Sequence, residues 1–325
     1  MAQEELSRRS RSGKQPKKNK QKKAKKSSKG KKVFLTIMSI FLVLLLAGGV
    51  YAYGVFRDAK STANKFYKPV NDDSGTKDAK KIAEGKPLSI LILGTDSRNE
   101  DLSGRSDTMI VTTLNAEKKQ TTMVSVPRDT YVEGVSLNKI NSAYADGGAQ
   151  KSIEVVDNLL GIKLNNYITM NFEGLEGLVD AVGGVTVNSK LAFSQDGSTF
   201  KEGENNLNGK EALAYSRMRK QDSQGDYGRQ ERQRQVIEGV LKKLKSPKAL
   251  TAYKDVFKVL GNNVQTDLTW EDMVNLSKNY RSAFDNVKSD NLKGEGQYIN
   301  NLSYQVVPQS EIDRVHNLLE EQLSE

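Results

Sequence analysis

Residues 88–93 read LSILIL, an apolar run of strand length that ends at Gly94. A continuous apolar run, without the alternation of a half-exposed strand, is typical of a central strand buried on both faces of its sheet. Beyond it the chain enters a polar segment, GTDSRNEDLSGRSD, which carries both acidic and basic side chains. The stretch therefore predicts a buried strand whose carboxyl end leads into a loop of functional character.

Strand and helix patterns alternate after this first strand. Two β-branched runs, 109–114 and 121–126, are separated by NAEKKQ and predict a hairpin. Further patterns predict short strands at 167–170 and 185–187 and helices at 152–160, 172–182, 229–244, 249–260, 270–284 and 310–323. This alternation predicts an α/β fold, a three-layer α/β/α domain with a mixed central sheet.

The segment 33–56 is a run of 24 residues without a charge, long enough to cross a bilayer as one transmembrane helix. A cleaved signal peptide is the alternative, because LLLAGGVYA offers small residues for cleavage, but the length favours a retained anchor. The polar segment 57–86 predicts a stalk outside the membrane, and folding is expected over 87–325, with a helical C-terminal part.

Residues 1–32 carry the positive charge of the chain. Fourteen Lys and Arg stand there against two Glu, a net charge of +12, whereas the whole chain has +10. Positive flanks of a span stay in the cytoplasm, so a single-pass membrane protein with an extracellular domain is expected. The tail lacks interleaved aromatic residues, so contact with anionic lipid is preferred and no specific nucleic-acid binding is expected.

The residue inventory excludes several classes of enzyme. The chain has no cysteine, so disulfides, thiol nucleophiles and thiolate metal sites are excluded. Its one histidine, His316, lies in a C-terminal amphipathic segment far from the polar loops and is expected to be a packing or surface residue. Neither a GxSxG nor a GxxxxGK[ST] motif is present. Chemistry must therefore rest on carboxylates and arginines.

Two carboxylates are expected to meet at one edge of the sheet. Asp96 follows the first strand, and Asp107 opens the next within GRSDT. Carboxylates without histidine or cysteine suit a hard cation such as Mg²⁺, which takes phosphate oxygens and water as further ligands. The alternative, a pair of loop acids that cap backbone amides, remains open. Arg105 and Arg128 stand at the same strand ends, and Pro127 holds the second of them in a turn.

The segment 215–233, YSRMRKQDSQGDYGRQERQ, concentrates arginine in a chain that otherwise favours lysine. Its arginines are Arg217, Arg219, Arg229 and Arg232, and Arg234 follows. The planar guanidinium suits bidentate contact with phosphate, whereas a solvated, salt-bridged helix start is the alternative.

Helical spacing divides these side chains. Arg229 and Gln233 continue the apolar stripe of the helix toward its N-terminus, where backbone amides favour an anion. Arg234 is expected in solvent and Arg232 at the border of the stripe. A bound phosphate is the preferred partner of the inward-facing arginine, and internal pairing with Asp222 or Asp226 remains the alternative.

Five blocks of sequence resemble the LytR-CpsA-Psr cell-wall ligases, especially their LytR-like members. The blocks are ILGTDSR, GRSDTMIV, SVPRDTYV, KINSAYADGG and the segment 215–233; they occur in the family's order over residues 88–245. The resemblance implies an extracytoplasmic phosphotransferase that moves a glycopolymer, of teichoic acid or capsule type, from an undecaprenyl-pyrophosphate carrier to the C6 hydroxyl of N-acetylmuramic acid in peptidoglycan. It also implies a side activity as a polyprenyl pyrophosphatase.

The resemblance implies a role for each matching residue. Asp96 and Asp107 are expected to hold Mg²⁺, with Mn²⁺ as the alternative ion. The expected pyrophosphate-binding residues are Arg105, Arg128, Lys139, Arg217, Arg219, Arg229 and Gln233; Arg105, Arg128, Arg217, Arg219 and Asp226 are expected to be catalytic. From the sequence, Asp129 and Asp226 are both candidates for the general base, and the choice between them stays open. Some family members have another arginine where this chain has Ser103, which removes one expected phosphate contact.

Other expectations follow from the prenyl carrier and from the alternatives. The carrier requires an apolar channel, which the helices at 152–182 and 229–245 could line, although ordinary core is the better default for those residues. The alternative functions are a protein that binds wall glycan or lipid carrier without turnover, and a transcription regulator that acts through the basic tail. The sequence does not identify the polymer.

Overall fold

The strand predicted at 88–93 is an inner strand of the main sheet in the computed structural model of the chain. The structure describes residues 54, 57, 60–70, 75–97, 101–245 and 261–324. The strands are β1 (Leu88–Thr95), β2 (Ser106–Asn115), β3 (Gln120–Ser125), β4 (Asn166–Met170), β5 (Val185–Ser189), β6 (Phe193–Gln195), β7 (Ser198–Phe200), β8 (Gly203–Leu207), β9 (Val264–Thr266), β10 (Asn286–Asn291), β11 (Glu295–Ile299) and β12 (Leu302–Val306). The helices are α1 (Gly75–Glu84), α2 (Ser142–Leu160), α3 (Phe172–Ala181), α4 (Gly209–Arg217), α5 (Asp226–Leu244), α6 (Trp270–Asn279) and α7 (Gln309–Leu323), with short 3-10 helices at Ser136–Asn138 and Arg281–Asp285.

The main sheet has six strands in the order β10-β3-β2-β1-β4-β9. Strand β1 runs antiparallel to β2 and parallel to β4, and β2 and β3 form the predicted hairpin. Strand β10 runs parallel to β3, and β9 runs antiparallel to β4. The mixed central sheet that the sequence predicted is thereby confirmed.

Helices cover both faces of this sheet. Successive side chains of β1 point to opposite faces, so this strand contributes to the core on each side. Leu91 and Leu93 lie in a core with residues of α2 and α7. Leu88 and Ile90 lie in a second core on the other face, with Ile82 of α1. Full burial of one such side chain stabilises the fold by about 1.5–3 kcal/mol, so β1 fixes the sheet to both helical layers.

A further core forms outside the main sheet, between α3, α4, α5 and two hairpins. Strands β5 and β8 pair with each other, as do β6 and β7. Phe193, Phe200 and Tyr215 pack their rings together there, with centroids 4.7 to 5.6 Å apart. Helix α4 was not predicted, although Asn208 and Glu211 form a capping box at its start, a signal that is visible in the sequence.

The folded part of the chain begins before residue 87, within the segment predicted as a stalk. In the helical segment 60–66, Ala63 and Phe66 are buried and pack near Trp270 of α6. In α1, Asp78 is buried and accepts a hydrogen bond from Asn165 Nδ2 at 2.8 Å. The sequence did not reveal α1 because this short helix is mostly polar, as a linker is. It presents only one narrow apolar stripe to the sheet.

Strands occupy part of the C-terminal region that the sequence described as helical. Residues 286–306 form β10, β11 and β12, and β10 completes one edge of the main sheet. Their sequences are polar because edge strands and hairpins leave one face in water, and this conceals the strand pattern. The helix predicted at 270–284 ends as α-helix at Asn279, and the one predicted at 249–260 lies outside the described residues.

The predicted tail 1–32 and, apart from Gly54, the predicted transmembrane helix 33–56 also lie outside the described residues. Within the part of the chain that the structure describes, no helix is long and apolar enough to cross a membrane.

Candidate active site at the strand ends

A β-bulge at the start of β2 places Asp107 at the end of the main sheet where β1 terminates. In the register of β1 and β2, Gly94 stands opposite Thr108 and Thr95 opposite Ser106, so Asp107 is the extra residue. Gly94 is required there, because a Cβ at this position would lie 2.8 Å from the Cβ of Thr108. Asp96 follows β1 directly and is exposed, so both carboxylates lie at this corner of the sheet, as the sequence predicted.

Arg128 joins the turn after β3 to this corner. Its Nη1 donates to Asp107 Oδ2 at 2.6 Å, while Asn141 Nδ2 lies 3.3 Å from Asp107 Oδ1. The turn is closed by Thr130, whose backbone N–H donates to the carbonyl of Pro127 at 3.0 Å. Both charged groups are about three-quarters buried, at 25% and 26% exposure, so their attraction is screened less than that of a surface pair.

The neighbouring Asp129 is held by two cations. Lys139 Nζ lies 2.7 Å from Asp129 Oδ1, and Arg128 Nε lies 3.6 Å from Asp129 Oδ2. Lys139 also stands 5.4 Å from the ring centroid of Tyr304. One of the two candidate general bases is therefore neutralised within the protein itself.

The N-terminus of α5 brings the second candidate base to the same cluster. Asp226 Oδ1 lies 2.7 Å from Arg229 Nη2 and 3.9 Å from Arg219 Nε. Asp226 Oδ2 accepts a hydrogen bond from Gln230 Nε2 at 2.8 Å. Arg229 thus has the internal partner that the sequence left as an alternative, yet its buried Nε makes no hydrogen bond to any described residue.

Arg128 and Arg229 are each affected by the charges of Asp107 and Asp226, so these ion pairs form one electrostatic network. Burial lowers the pKa of Arg128, but Asp107, Asp129 and Asp226 outweigh it, so that the net shift is upward. Burial also lowers the pKa of Arg229; Asp226 and Asp107 oppose this, but the nearby charges of Arg128 and Arg219 add to it, so the net shift is downward. Arg229 is therefore a buried cation short of negative charge, which an anionic ligand would supply.

The remaining predicted residues are placed by other contacts or by their exposure. Arg217 Nη1 pairs with Asp196 at 2.8 Å, and its guanidinium lies 5.1 Å from the ring centroid of Phe172, where the chain leaves β4. Arg105 is exposed on the loop before β2. Gln233 is half-buried one helical turn beyond Arg229, on the same face of α5.

Two expectations about α5 are wrong. Arg234 is not in solvent but is only 3% exposed; it donates to Ser125 Oγ and, at 2.7 Å, to Asn291 Oδ1. Arg232 is not at a border but is 4% exposed, and it pairs with Asp222 at 2.7 Å. Helical periodicity assumed a single buried face, whereas α5 packs between β10 and the hairpins, so both of its sides are covered.

The donor set at the sheet corner fits a magnesium ion. Asp96 and Asp107 offer hard oxygens from two carboxylates, the number that Mg²⁺ usually takes from a protein when phosphate and water complete its shell. Among the described residues, no group of three or more His, Asp or Glu side chains is arranged as a metal site. A two-carboxylate site that a phosphorylated substrate completes is the arrangement these residues allow.

A cavity of about 930 Å³ adjoins the loop that carries Arg105. Its lining includes Ser103, Tyr144, Tyr167 and Val264, together with the break in α2 at Gly147 and Gly148. The volume suits a drug-sized or larger ligand. Of the stretches predicted to line a prenyl channel, 152–182 contributes Tyr167 to this cavity. The channel itself stays a prediction.

The fold and this site define a class of protein: a mixed α/β domain with a cluster of arginines and carboxylates at the ends of its strands. The chain belongs to the LytR_cpsA_psr family, whose sequence profile matches residues 53–321. The resemblance carried by the five sequence blocks is thereby confirmed.

Several relatives have names that describe an activity. The chain is 42% identical over 294 residues to the polyisoprenyl-teichoic acid–peptidoglycan teichoic acid transferase TagU of Bacillus subtilis, covering 89% of this chain and 95% of that one. A solved structure of TagT bound to LIIa-WTA matches with a TM-score of 0.62 and 27% identity, over 78% of this chain and 93% of that chain. A structure from Enterococcus faecalis, described as a transcriptional regulator, matches with a TM-score of 0.66 and 36% identity, over 74% of this chain and 89% of that chain.

Proposed function

We propose that this protein transfers a teichoic-acid-type glycopolymer from an undecaprenyl-pyrophosphate carrier to the C6 hydroxyl of N-acetylmuramic acid in peptidoglycan. The network of Arg128, Arg219 and Arg229 at the strand ends supports this proposal most directly. The names of the relatives, TagU above all, supply the polymer and the acceptor. A transcription regulator has less support, because the clustered arginines lie in the folded domain and not in the basic tail.

The arginines neutralise the pyrophosphate. Arg128 and Arg219 approach it with planar donor groups that match phosphate oxygens, and Arg229 adds a buried charge at the N-terminus of α5. Negative charge that builds on the bridging and leaving oxygens during transfer is stabilised where the donors are already fixed. Mg²⁺ held by Asp96 and Asp107, or Mn²⁺ in its place, would supply further positive charge to the same oxygens when bound.

Asp226 is the general base in this proposal. A pyrophosphate that engages Arg219 and Arg229 draws both cations away from Asp226, which makes that carboxylate a better proton acceptor. Asp129 is paired with Lys139 at 2.7 Å, and the proposal leaves that pair in place. The sugar hydroxyl loses its proton to Asp226 as its oxygen attacks the polymer-side phosphorus, and the prenyl phosphate leaves.

The test is reconstitution of the full-length protein with lipid-linked polymer, Mg²⁺ and peptidoglycan, followed by measurement of wall-bound polymer. Transfer by the wild type is expected to fall about 100-fold or more in Arg229→Lys and Asp226→Asn, because charge stabilisation and proton transfer each contribute on that scale. Asp129→Asn should retain much more activity than Asp226→Asn. No transfer by the wild type, with binding of donor intact, would favour a non-catalytic binding protein; equal loss in the two aspartate variants would reject the choice of base.

The anchor and its orientation belong to the same proposal. Positive charge in residues 1–32 and the uncharged run 33–56 support a single span with the domain outside the cell. The absence of cysteine makes the test direct: Ser310→Cys, in the domain, should react with a membrane-impermeant thiol reagent on intact cells, and Ser12→Cys only after lysis. Labelling of Ser12→Cys on intact cells would reverse the orientation.

A further inference from the structure

The hairpin of β11 and β12 is built onto the candidate active site. Gln305 donates its backbone N–H to the carbonyl of Asp129 at 2.8 Å and accepts from the N–H of Tyr131 at 2.9 Å. Its side-chain Oε1 accepts from the Tyr227 hydroxyl at 3.1 Å, and the N–H of Gly294 donates to the same hydroxyl at 2.9 Å. The hairpin is therefore fixed both to the Asp129 turn and to the residue that follows Asp226.

One face of this hairpin presents an exposed aromatic ring. Tyr298 is 82% exposed and stands opposite Ser303, while Gly296 stands opposite Gln305. These two pairs are two residues apart along the strands, so their side chains point to the same face of the hairpin. Tyr298 and Gln305 therefore share a face and are separated by about 7 Å along the strand direction. The face therefore leads from Tyr298 to Tyr227 at the edge of the arginine network.

The turn at the tip gives the β11–β12 hairpin, here called the platform, a regular two-residue geometry. Asn300 and Asn301 both have positive φ, at 51° and 61°, as a two-residue type I′ turn requires. At the other end, Tyr304 is buried and packs edge-on against Tyr131 with ring centroids 5.4 Å apart. Tyr298 therefore stands on a regularly paired hairpin that is packed against the Asp129 turn.

The composition of residues 294–306 indicates what the platform meets. The segment contains no Lys or Arg and one acid, Glu295, but many amides, hydroxyls and glycines. A polyanionic polymer or an anionic lipid surface would call for basic residues. Insertion of the tip into lipid would bury the side-chain amides of Asn300 and Asn301 without partners. One exposed ring is also too small an area for a stable contact with a second copy.

We propose that the Tyr298 face binds the uncharged glycan strand of the acceptor and guides its hydroxyl toward Asp226. An exposed ring flanked by amide and hydroxyl groups combines stacking area with adaptable hydrogen bonds, which a neutral polysaccharide requires. The inference rests on the proposed function, since it assigns the acceptor side of the same reaction.

The experiment measures transfer by the full-length protein to soluble, uncross-linked peptidoglycan glycan strands, with donor and acceptor varied separately. Tyr298→Ala is expected to raise the KM for glycan strands about three- to tenfold, with the KM for donor unchanged, because one stacked ring contributes on this scale. Tyr298→Phe should stay close to the wild type. Leu302→Ala is the matched control, because Leu302 is exposed on the opposite face of the same hairpin.

Direct binding of the same glycan strands, measured by sedimentation or calorimetry, separates this inference from the proposed function. If the wild type binds strands but transfers nothing, the proposed function fails, and weaker binding by Tyr298→Ala still supports the platform. An unchanged KM and unchanged binding in Tyr298→Ala would overturn the inference. So would a loss confined to kcat, which would mean that the hairpin only supports the Asp129 turn, or a loss of binding to anionic vesicles, which would point to a membrane contact.

Discussion

Arg234 lies almost wholly inside the domain and makes its hydrogen bonds to Ser125 and Asn291, which end β3 and β10. Burial lowers its pKa to about 10, although the charges of Glu231 and Asp290 oppose the shift. The residue therefore joins the two strand ends beside the arginine network through neutral acceptors. Its role is structural, in contrast to that of Arg229, one helical turn and a half earlier.

Arg234→Lys should lower the free energy of unfolding by about 1–3 kcal/mol, because a single ammonium cannot replace the two-strand contact and leaves buried acceptors unpaired. Urea unfolding measures the change. Lys242→Gln on the exposed part of the same helix is the control and should stay within about 0.5 kcal/mol of the wild type. Equal stability of wild type and Arg234→Lys would contradict the account of Arg234.

Single residues also show where sequence patterns fail. Asp96, Asp107 and Arg128 could be placed because each directly follows or precedes a strong strand pattern. Arg234 could not, because its partners lie more than 50 residues away in sequence, and β10, the strand that carries Asn291, has a polar composition that hides it. Lys139 was placed with the anion-binding residues by resemblance, and the structure pairs it with Asp129.

The bulge in the β1–β2 pair is the element that aims Asp107 at the site. Gly94→Ala would set a Cβ 2.8 Å from the Cβ of Thr108, so one of the strands must shift. Overpacking of this kind should destabilise the domain by about 1–3 kcal/mol and reduce polymer transfer, because the shift moves Asp107 away from Arg128.

The double variant Gly94→Ala with Thr108→Gly removes the opposing Cβ and tests this mechanism. Transfer in the double variant should recover above that of Gly94→Ala alone, and the two stabilities, measured by thermal unfolding, should follow the same order. If the double variant is no better than Gly94→Ala, contact with Thr108 is not the reason that glycine is required.

Elements differ in how well their sequences predict them. The strand β1 and the β2–β3 hairpin are apolar or β-branched, so their patterns carried the fold class. Strands β10 to β12 lie at an edge or outside the sheet, where polar residues are tolerated, and no pattern indicated them. Helix α1 was mistaken for a stalk because it buries only one narrow stripe that includes Ile82.

The stability of the whole domain should depend on pH through Asp267. This residue joins β9 to α6, and burial raises its pKa to about 6, although the N–H of Tyr167 and the amide of Asn166 donate to it. A carboxyl whose pKa rises on folding binds its proton more tightly in the folded state. The stabilising contribution of this proton is therefore complete below about pH 4 and is lost as pH rises through about 6.

Asp267→Asn should flatten this dependence, because the amide oxygen can accept the same two hydrogen bonds without a charge. The stability difference between variant and wild type should shift in favour of the variant by about 1–3 kcal/mol between pH 4 and pH 7. Urea unfolding at several pH values measures it. A difference that is constant over this range would show that Asp267 titrates as an ordinary exposed carboxyl.

At the scale of the molecule, the central claim is that the strand-end arginines hold a lipid-linked pyrophosphate. A crystal structure of the protein with a polyprenyl-pyrophosphate donor and Mg²⁺ tests it most directly. The account predicts the two phosphates against Arg128, Arg219 and Arg229, the metal on Asp96 and Asp107, and Asp226 released from its arginine pairs. Phosphates bound elsewhere, with the Arg229–Asp226 and Arg128–Asp107 pairs intact, would contradict it.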